Sequence, residues 1–453
     1  MDEKVVVGLD IGSTKVCAVV GRMNGQGTLD ILGIGVAESR GVTKGVVLNV
    51  NKTIEAVNKA VEQAGNQSDY DIGSVMASIA GQNIQCLRKR GGFTRETAGS
   101  EVLVSDIERL ASDVARDPVA PGNVVLHVLP QEYTVDNWDS IYDPVGMTGM
   151  KLQASYQVVT SPALAIENTR KSVERARGNL EVDGLMFSPL AAAMAVLTDD
   201  EKEAGVALVD LGGGTTDVVI FYKNIVRHVA VIPVAGNAIT EDLQHGCNVP
   251  SQTHAELLKI RYGCALQSRV DLHRVVSVPG MSGRLPKDVS LKNVAIIVEE
   301  RLKEIAALVC AEFVRSGYEN KLSGGLVLTG GTAQFEGIDD LFGKITGKDV
   351  RVGSPQQHFG KGKTDLAENP AYATAIGLVW SGFRSLDSRD DEYLAQAQVP
   401  AAPPAVAFNG KKKEEKPVEK PDNKNFFKKG LEYLKNVVLD DEVGDKDSYS
   451  PRP

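Results

Sequence analysis

At 453 residues the chain exceeds what one compact core of ordinary size holds, so two or more domains are expected. An apolar fraction of 42% with 24% charged residues excludes wholesale disorder. A formal net charge of -9, with no domain-wide basic surface evident, argues against nucleic acid as the main partner.

The acidic start, MDEKVVVGLD, lacks the bases of a secretory leader. No apolar run approaches the roughly 20 residues a spanning helix needs, so a cytosolic protein is expected. β-Branched runs flank a Gly/Ser/Thr turn in KVVVGLDIGSTKVCAVVGRM, which reads as strand, tight turn and strand. NKTIEAVNKAVEQAG has a helical period expected to end at Gly65, and IGSVMASIAG follows as a buried strand. This alternation is that of an α/β fold, and residues 1–82 open a first lobe to which 161–197 and about 371–387 return. Residues 83–160 change character, with short signals such as SDIERLASDVARD and NVVLHVLPQEYTV, and read as an inserted α+β subdomain. The pattern of the opening recurs in GVALVDLGGGTTDVVIFYKN, which begins a second lobe, 198–231 with 301–370, interrupted by an inserted subdomain at 232–300.

SLKNVAIIVEERLKEIAALVCAEFVRSG then reads as a long helix, and GGLVLTGGTAQFEGIDDLF as strand, glycine turn and helix. Residues 388–423 lack any hydrophobic period and read as a disordered linker, spanning on the order of 35 Å. In 424–439, Phe426, Phe427, Gly430, Leu431, Leu434, Val437 and Val438 form one helical stripe, with Lys428, Lys429 and Lys435 outside it. Such a helix buries its stripe against lipid or a partner protein. The acidic run Asp440, Asp441, Glu442, Asp445 and Asp447 in the tail 440–453 opposes anionic lipid, and nothing in the sequence explains it. The cysteines, Cys17, Cys86, Cys247, Cys264 and Cys310, are scattered without metal-ligand spacing to histidine and read as small buried thiols.

The chemistry lies in DIGST from Asp10 and DLGGGTTD from Asp210. Glycines let backbone N–H groups approach phosphate oxygens, hydroxyls add donors, and an aspartate at each strand end can hold a hydrated magnesium ion. A lone glycine turn after a strand usually does no more than turn. Two copies, with LTGGT at Gly330, Gly331 and Thr332 as a third backbone approach, favour a triphosphate gripped from both sides.

These residues resemble the actin-like ATPase superfamily, in which two phosphate hairpins and an adenosine loop line a cleft between two ribonuclease H-like lobes. GVVLNVNKTIEAVNKAVEQA, IAGQNI, VDGLMFSPLAAAMAVL, IPVAGNAITEDL and NPAYATAIGLV are further similar, over residues 4–385, to the FtsA family of bacterial cell-division proteins. The resemblance implies ATP and Mg2+ as cofactors. It puts Asp10, Gly12, Ser13, Thr14 and Lys15 in the first phosphate loop and Asp210, Gly212, Gly213, Gly214, Thr215 and Thr216 in the second, with Asp10 and Asp210 on the metal. Gly236 and Asn237 are expected beside the nucleotide, Glu256 and Lys259 near its ribose and base, and Gly330, Gly331 and Thr332 under the adenosine. Ser188, before Pro189, stands where relatives with clear hydrolytic activity often carry Gln or Glu. A hydroxyl is a poorer organiser of an in-line water, so slow hydrolysis is expected of a catalytic set of Asp10, Asp210 and Ser188.

The function implied is an ATP-binding adaptor that polymerises on the cytoplasmic face of the inner membrane at the division septum, tethers the tubulin-like FtsZ and recruits later division proteins. The FtsZ C-terminal tail is expected on residues 232–300. The insert at 83–160 is expected against filament neighbours and later division proteins. The terminal helix is similar to the family's membrane-targeting helix, with Phe426, Phe427, Lys428, Lys429, Leu431, Leu434, Val437 and Val438 at the lipid. Each basic residue near anionic lipid is worth about 1 kcal/mol, while Gly430 weakens the isolated helix by roughly 1 kcal/mol. One copy therefore binds reversibly, and a filament gains avidity. The alternative for the whole chain is a small-molecule kinase or phosphatase of the same superfamily, which leaves the terminal helix without a role.

Overall fold

The computed structural model describes residues 4–390, apart from 26, 97–98, 272, 281–284, 356–358 and 363–367. The terminal helix, the acidic tail and all but the start of the expected linker lie outside the described residues.

Three apolar, β-branched strands open the chain: β1 (Val5–Ile11), β2 (Lys15–Met23) and β3 (Leu29–Glu38). A short hairpin, β4 (Val42–Thr43) and β5 (Val46–Val47), leads to α1 (Val50–Ser68). Asn49 starts this helix by accepting the Lys52 amide at 3.0 Å. The helix runs past Gly65, against the sequence expectation, and closes at Asp69 with a left-handed φ of 52°. Aspartate tolerates that conformation, and Gly65 instead supplies the carbonyl that accepts the amides of Asp69 and Tyr70. β6 (Ser74–Ile79) follows, buried along most of its length.

The next segment holds β7 (Gln85–Thr94), α2 (Val104–Arg116), β8 (Asn123–Val135), β9 (Trp138–Ile141) and β10 (Lys151–Pro162). Its sheet has the order β7-β10-β8-β9. Leu110 and Val114 of α2 pack on Tyr133, Leu152, Ala154 and Tyr156 of one sheet face. The helix lies close because Gly91 has no side chain: a Cβ there would meet Val114 at 2.5 Å.

The chain returns through α3 (Ala163–Glu174), β11 (Glu181–Phe187) and α4 (Ser188–Val196). Then come α5 (Asp199–Ala204), β12 (Val206–Leu211), β13 (Thr216–Tyr222), β14 (Ile225–Ile232), α6 (Gly236–Gly246) and α7 (Gln252–Tyr262). β15 (Val275–Val278), β16 (Lys287–Ser290), α8 (Leu291–Ser316), β17 (Leu326–Thr329), α9 (Ile338–Thr346), β18 (Val350–Val352), β19 (Phe359–Gly362) and α10 (Ala373–Asp390) complete the described chain. α10 extends beyond residue 387, where the linker is expected to begin.

The two large sheets repeat one topology. The first runs β11-β6-β1-β2-β3-β19 and the second β14-β13-β12-β17-β18. In each, three antiparallel strands in chain order are followed by two parallel ones. The hairpin registers also agree: Asp10 lies opposite Cys17 in β1–β2, and Asp210 opposite Asp217 in β12–β13. β19 and α10 bring the chain back to the first sheet, where α10 lies on β1 and crosses α4. Both approaches depend on glycine, since a Cβ on Gly8 would meet the Ala375 carbonyl at 2.2 Å and one on Gly377 the Ala191 carbonyl at 1.8 Å.

Candidate functional site

Two turns of one construction face each other where the matched hairpins meet. The Gly12 amide donates to the Lys15 carbonyl at 3.0 Å, and the Gly212 amide to the Thr215 carbonyl at 3.0 Å. Each follows a strand whose aspartate points to the same space, Asp10 from β1 and Asp210 from β12. The turns nearly touch. A Cβ on Gly213 would meet the Thr14 side chain at 2.2 Å, and one on Gly214 the Ser13 hydroxyl at 2.4 Å, so side chains here would drive the hairpins apart.

The space is a cleft of about 470 Å³. It is lined by Asp10, Gly12, Ser13, Thr14, Lys15 and Ser188 from the first half, and by Asp210, Gly212, Gly213, Gly214, Thr215, Glu256, Lys259, Gly330, Gly331 and Thr332 from the second. Thr216, Gly236 and Asn237 do not line it. Thr216 begins β13 on the opposite face and donates to the Val234 carbonyl at 2.8 Å, because alternation along a strand turns successive side chains to opposite sides. Gly236 and Asn237 brace the second turn from behind, their amides donating to the carbonyls of Gly212 and Gly213 at 3.1 and 2.7 Å. Thr332 adds its hydroxyl to the Gly212 carbonyl at 2.8 Å. Gly330 has a φ of 89°, and a Cβ there would meet the Asp210 carboxylate at 2.3 Å.

Sequence reasoning missed several parts of the lining, among them Gly45 and Ala80 from the first half and Ile260, Gly263, Gln334 and Phe335 from the second. Asp217, the last residue of DLGGGTTD, is buried beside Asp210, with one carboxylate oxygen lacking a hydrogen-bond partner. Its place two residues after Thr215 would have shown it, by the same alternation that removes Thr216. The turn before α10 contributes Pro370 and Ala371, and the first turn of α10 contributes Thr374. Lys15 donates to the Ala371 carbonyl and lies over the Tyr372 ring, 4.4 Å from its centre. Thr374 donates to Asp210 at 3.4 Å.

Charge is out of balance in the cleft. Burial pushes the Asp10 carboxyl up, against the pull of Lys15 and the Ser78 hydroxyl. Asp210 is pushed up to about 6, by burial first and by the charge of Asp10 second. Asp217 lies well above the usual carboxylate range, again through burial and then Asp210. Burial pulls Lys15 down, while Cys17 and the two aspartates draw it back up. Across the cleft Lys259 is pulled down by burial and held by Glu256 at 2.7 Å, with further bonds to the Gly236 carbonyl and the Thr240 hydroxyl. Among the described residues no group of three or more His, Cys, Asp or Glu side chains is arranged to ligate a metal directly. Three crowded carboxyls, one with a bare oxygen, fit a cation that keeps its water shell and is held through it. Ser188 spends its proton on the Ile79 carbonyl, at 3.0 Å.

Residues 207–377 match the family described as Cell division protein FtsA, and residues 81–160 the SHS2 domain inserted in FTSA. Over 381 residues, 84% of this chain and 90% of the relative, the sequence is 41% identical to the cell division protein FtsA of Pseudomonas aeruginosa. Over 391 residues, 85% of this chain and 91% of the relative, it is 37% identical to that of Escherichia coli (strain K12). A chain of the PilM-PilN type IV pilus biogenesis complex superposes with a TM-score of 0.60 at 15% identity, covering 83% of this chain and 98% of that one, which marks a common fold. Paired hairpins in a duplicated sheet, the inserted domain and the extent of the sequence match agree: the chain belongs to the FtsA family of actin-like cell division proteins.

Proposed function

We propose that the cleft binds ATP with Mg2+ and that nucleotide sets the state of a division adaptor. This adaptor polymerises on the cytoplasmic face of the membrane at the septum, holds the FtsZ tail and recruits later division proteins. The observation that carries the reading is the pair of matched turns, each behind a buried aspartate, facing one another across a single cleft. Backbone amides of the two turns, with the hydroxyls of Ser13, Thr14 and Thr215 and the ammonium of Lys15, supply donors for phosphate oxygens from both halves. Asp10 and Asp210 would hold the magnesium ion through its water, with Asp217 completing the negative surround. A divalent cation supplies the positive charge that three buried carboxyls lack and offsets the charge of the phosphates. Glu256 and Lys259 face the ribose and base side, and Gly330, Gly331 and Thr332 the adenosine.

Hydrolysis is slow in this reading. The Ser188 hydroxyl already donates to the Ile79 carbonyl, which leaves it only lone pairs to offer an attacking water. The terminal stripe, with Phe426, Phe427, Leu431 and Leu434 beside Lys428 and Lys429, supplies reversible lipid attachment that assembly multiplies.

Calorimetric titration of the full-length protein with Mg·ATP tests the cleft. Saturable heat is expected, and Asp210→Asn is expected to weaken binding at least tenfold. A folded wild-type sample that takes up no ATP would sink the reading.

A further inference from the structure

We propose that strand β8 of the inserted subdomain couples the cleft to the outer surface of that subdomain, with His127 as the positioning residue at the cleft end. Among the described residues none between 83 and 160 lines the cleft. Yet β8 is bonded to both halves that form it. At one point the Phe187 amide donates to His127 Nε2 at 3.0 Å, one residue before Ser188, which does line the cleft. Four residues along, Gln131 Nε2 donates to the Val226 carbonyl of β14 at 2.6 Å. Glu132 holds the buried guanidinium of Arg227 at 3.3 Å, and Gln157 of β10 donates to the Arg227 carbonyl at 3.1 Å. Arg227 is the extra residue of a bulge in β14, so a kink in the second sheet meets the insert.

The coupling follows from the stiffness of a strand. His127 and Gln131 are separated by at most roughly 13 Å of strand. Gln131 is the extra residue of a bulge in β8, since Glu132 lies opposite Ser155 and Pro130 opposite Tyr156, so the span between the two attachments is short and can lengthen little. A change in the distance between the start of α4 and β14 must therefore break one attachment or rotate the insert. Apolar contact favours rotation, because Leu126 and Val159 of the insert share one core cluster with Phe187, Phe221 and Val229 of the two halves. His127 accepts through a ring nitrogen lone pair, so the bond requires the neutral imidazole. Burial supports this by pulling its pKa down to about 4. A protein bound to the insert and a nucleotide bound in the cleft would then alter each other's affinity by one common factor.

The proposal rests on the cleft being a nucleotide site, and hydrogen exchange separates the two claims. With Mg·ATP or Mg·ADP, amides of residues 10–17 and 210–217 report the cleft, and those of 123–135 report the coupling. Slowing at least threefold in all three segments is expected. His127→Leu is expected to abolish the effect at 123–135 while the hairpins keep theirs, and His127→Gln, which retains an acceptor at the same reach, to preserve it. Hairpins that slow while wild-type 123–135 does not would overturn the coupling alone. Hairpins that do not respond would overturn the nucleotide site, and the coupling with it. If His127→Leu does not fold, the wild-type comparison decides, with Gln131→Ala as the second variant, expected to reduce the slowing at 123–135.

Discussion

Asp210, the last residue but one of β12, lies against Asp217, with Gly330 so close to its carboxylate that only hydrogen fits there. Its carboxyl is pushed up to about 6 from 3.8. Between those values the folded protein holds a proton that the unfolded chain has lost, so stability falls as pH rises through this window and levels off above it. Free of divalent cations, Asp210→Asn is expected to lose that slope. At pH 7 it should be more stable than wild type by on the order of 2–3 kcal/mol, read from denaturant curves at pH 4.5 and 7. Equal slopes in both proteins would show that the ionised carboxylate is better accommodated than its burial implies. Asp10 and Asp210 were legible in the sequence because a strand, an acid and a glycine turn occur twice. Asp217 is not legible in that repeat because it follows the hydroxyl pair Thr215 and Thr216 as the second residue of a strand, with no counterpart acid in the first hairpin, where Cys17 lies opposite Asp10. The partners of Lys15, Ala371 and Tyr372, lie over 350 positions away in sequence, and no local pattern points to them.

Helices α4 and α10 cross at a point set by one missing side chain. A Cβ on Gly377 would lie 1.8 Å from the Ala191 carbonyl, which is backbone and cannot rotate aside. Gly377→Ala is therefore expected to prise the crossing open at a cost of about 2–3 kcal/mol, seen as a lowered melting temperature with the fold retained. An unchanged melting point would mean that the helices slide apart freely. The long helix α8 was readable from its period, and Gly317 stops it at a φ of 73°. Gly65 has the sequence surroundings of a helix end, yet α1 continues through it to Ser68. Tertiary contacts carry α1 on to Asp69, and a glycine in sequence does not announce whether it stops a helix or packs within one.

At the scale of the molecule, the duplication was readable as chemistry before it was visible as topology. The two strand orders coincide although the hairpins share only the acids, the first glycine and the turn. Which strands pair across the sheets, and that β19 and α10 carry the chain back to the first half, required the fold. The body and the terminal stripe are proposed to act together, which gives a test on the whole chain. Vesicles with anionic lipid should pellet the full-length protein and leave a version ending at Asn423 in solution, with added salt weakening the first result. Equal pelleting of both would remove the tethering role from Phe426, Phe427 and their neighbours.

The glutamines that meet β14 have one more consequence. That strand is the rim of the second sheet, and Gln131 and Gln157 occupy carbonyls that would otherwise be open to a stray chain. Excising residues 83–160 would therefore strip a guard from a sticky fringe as well as delete a domain. Clumping by such a truncated protein would report that bare rim and say nothing about what the lost domain binds.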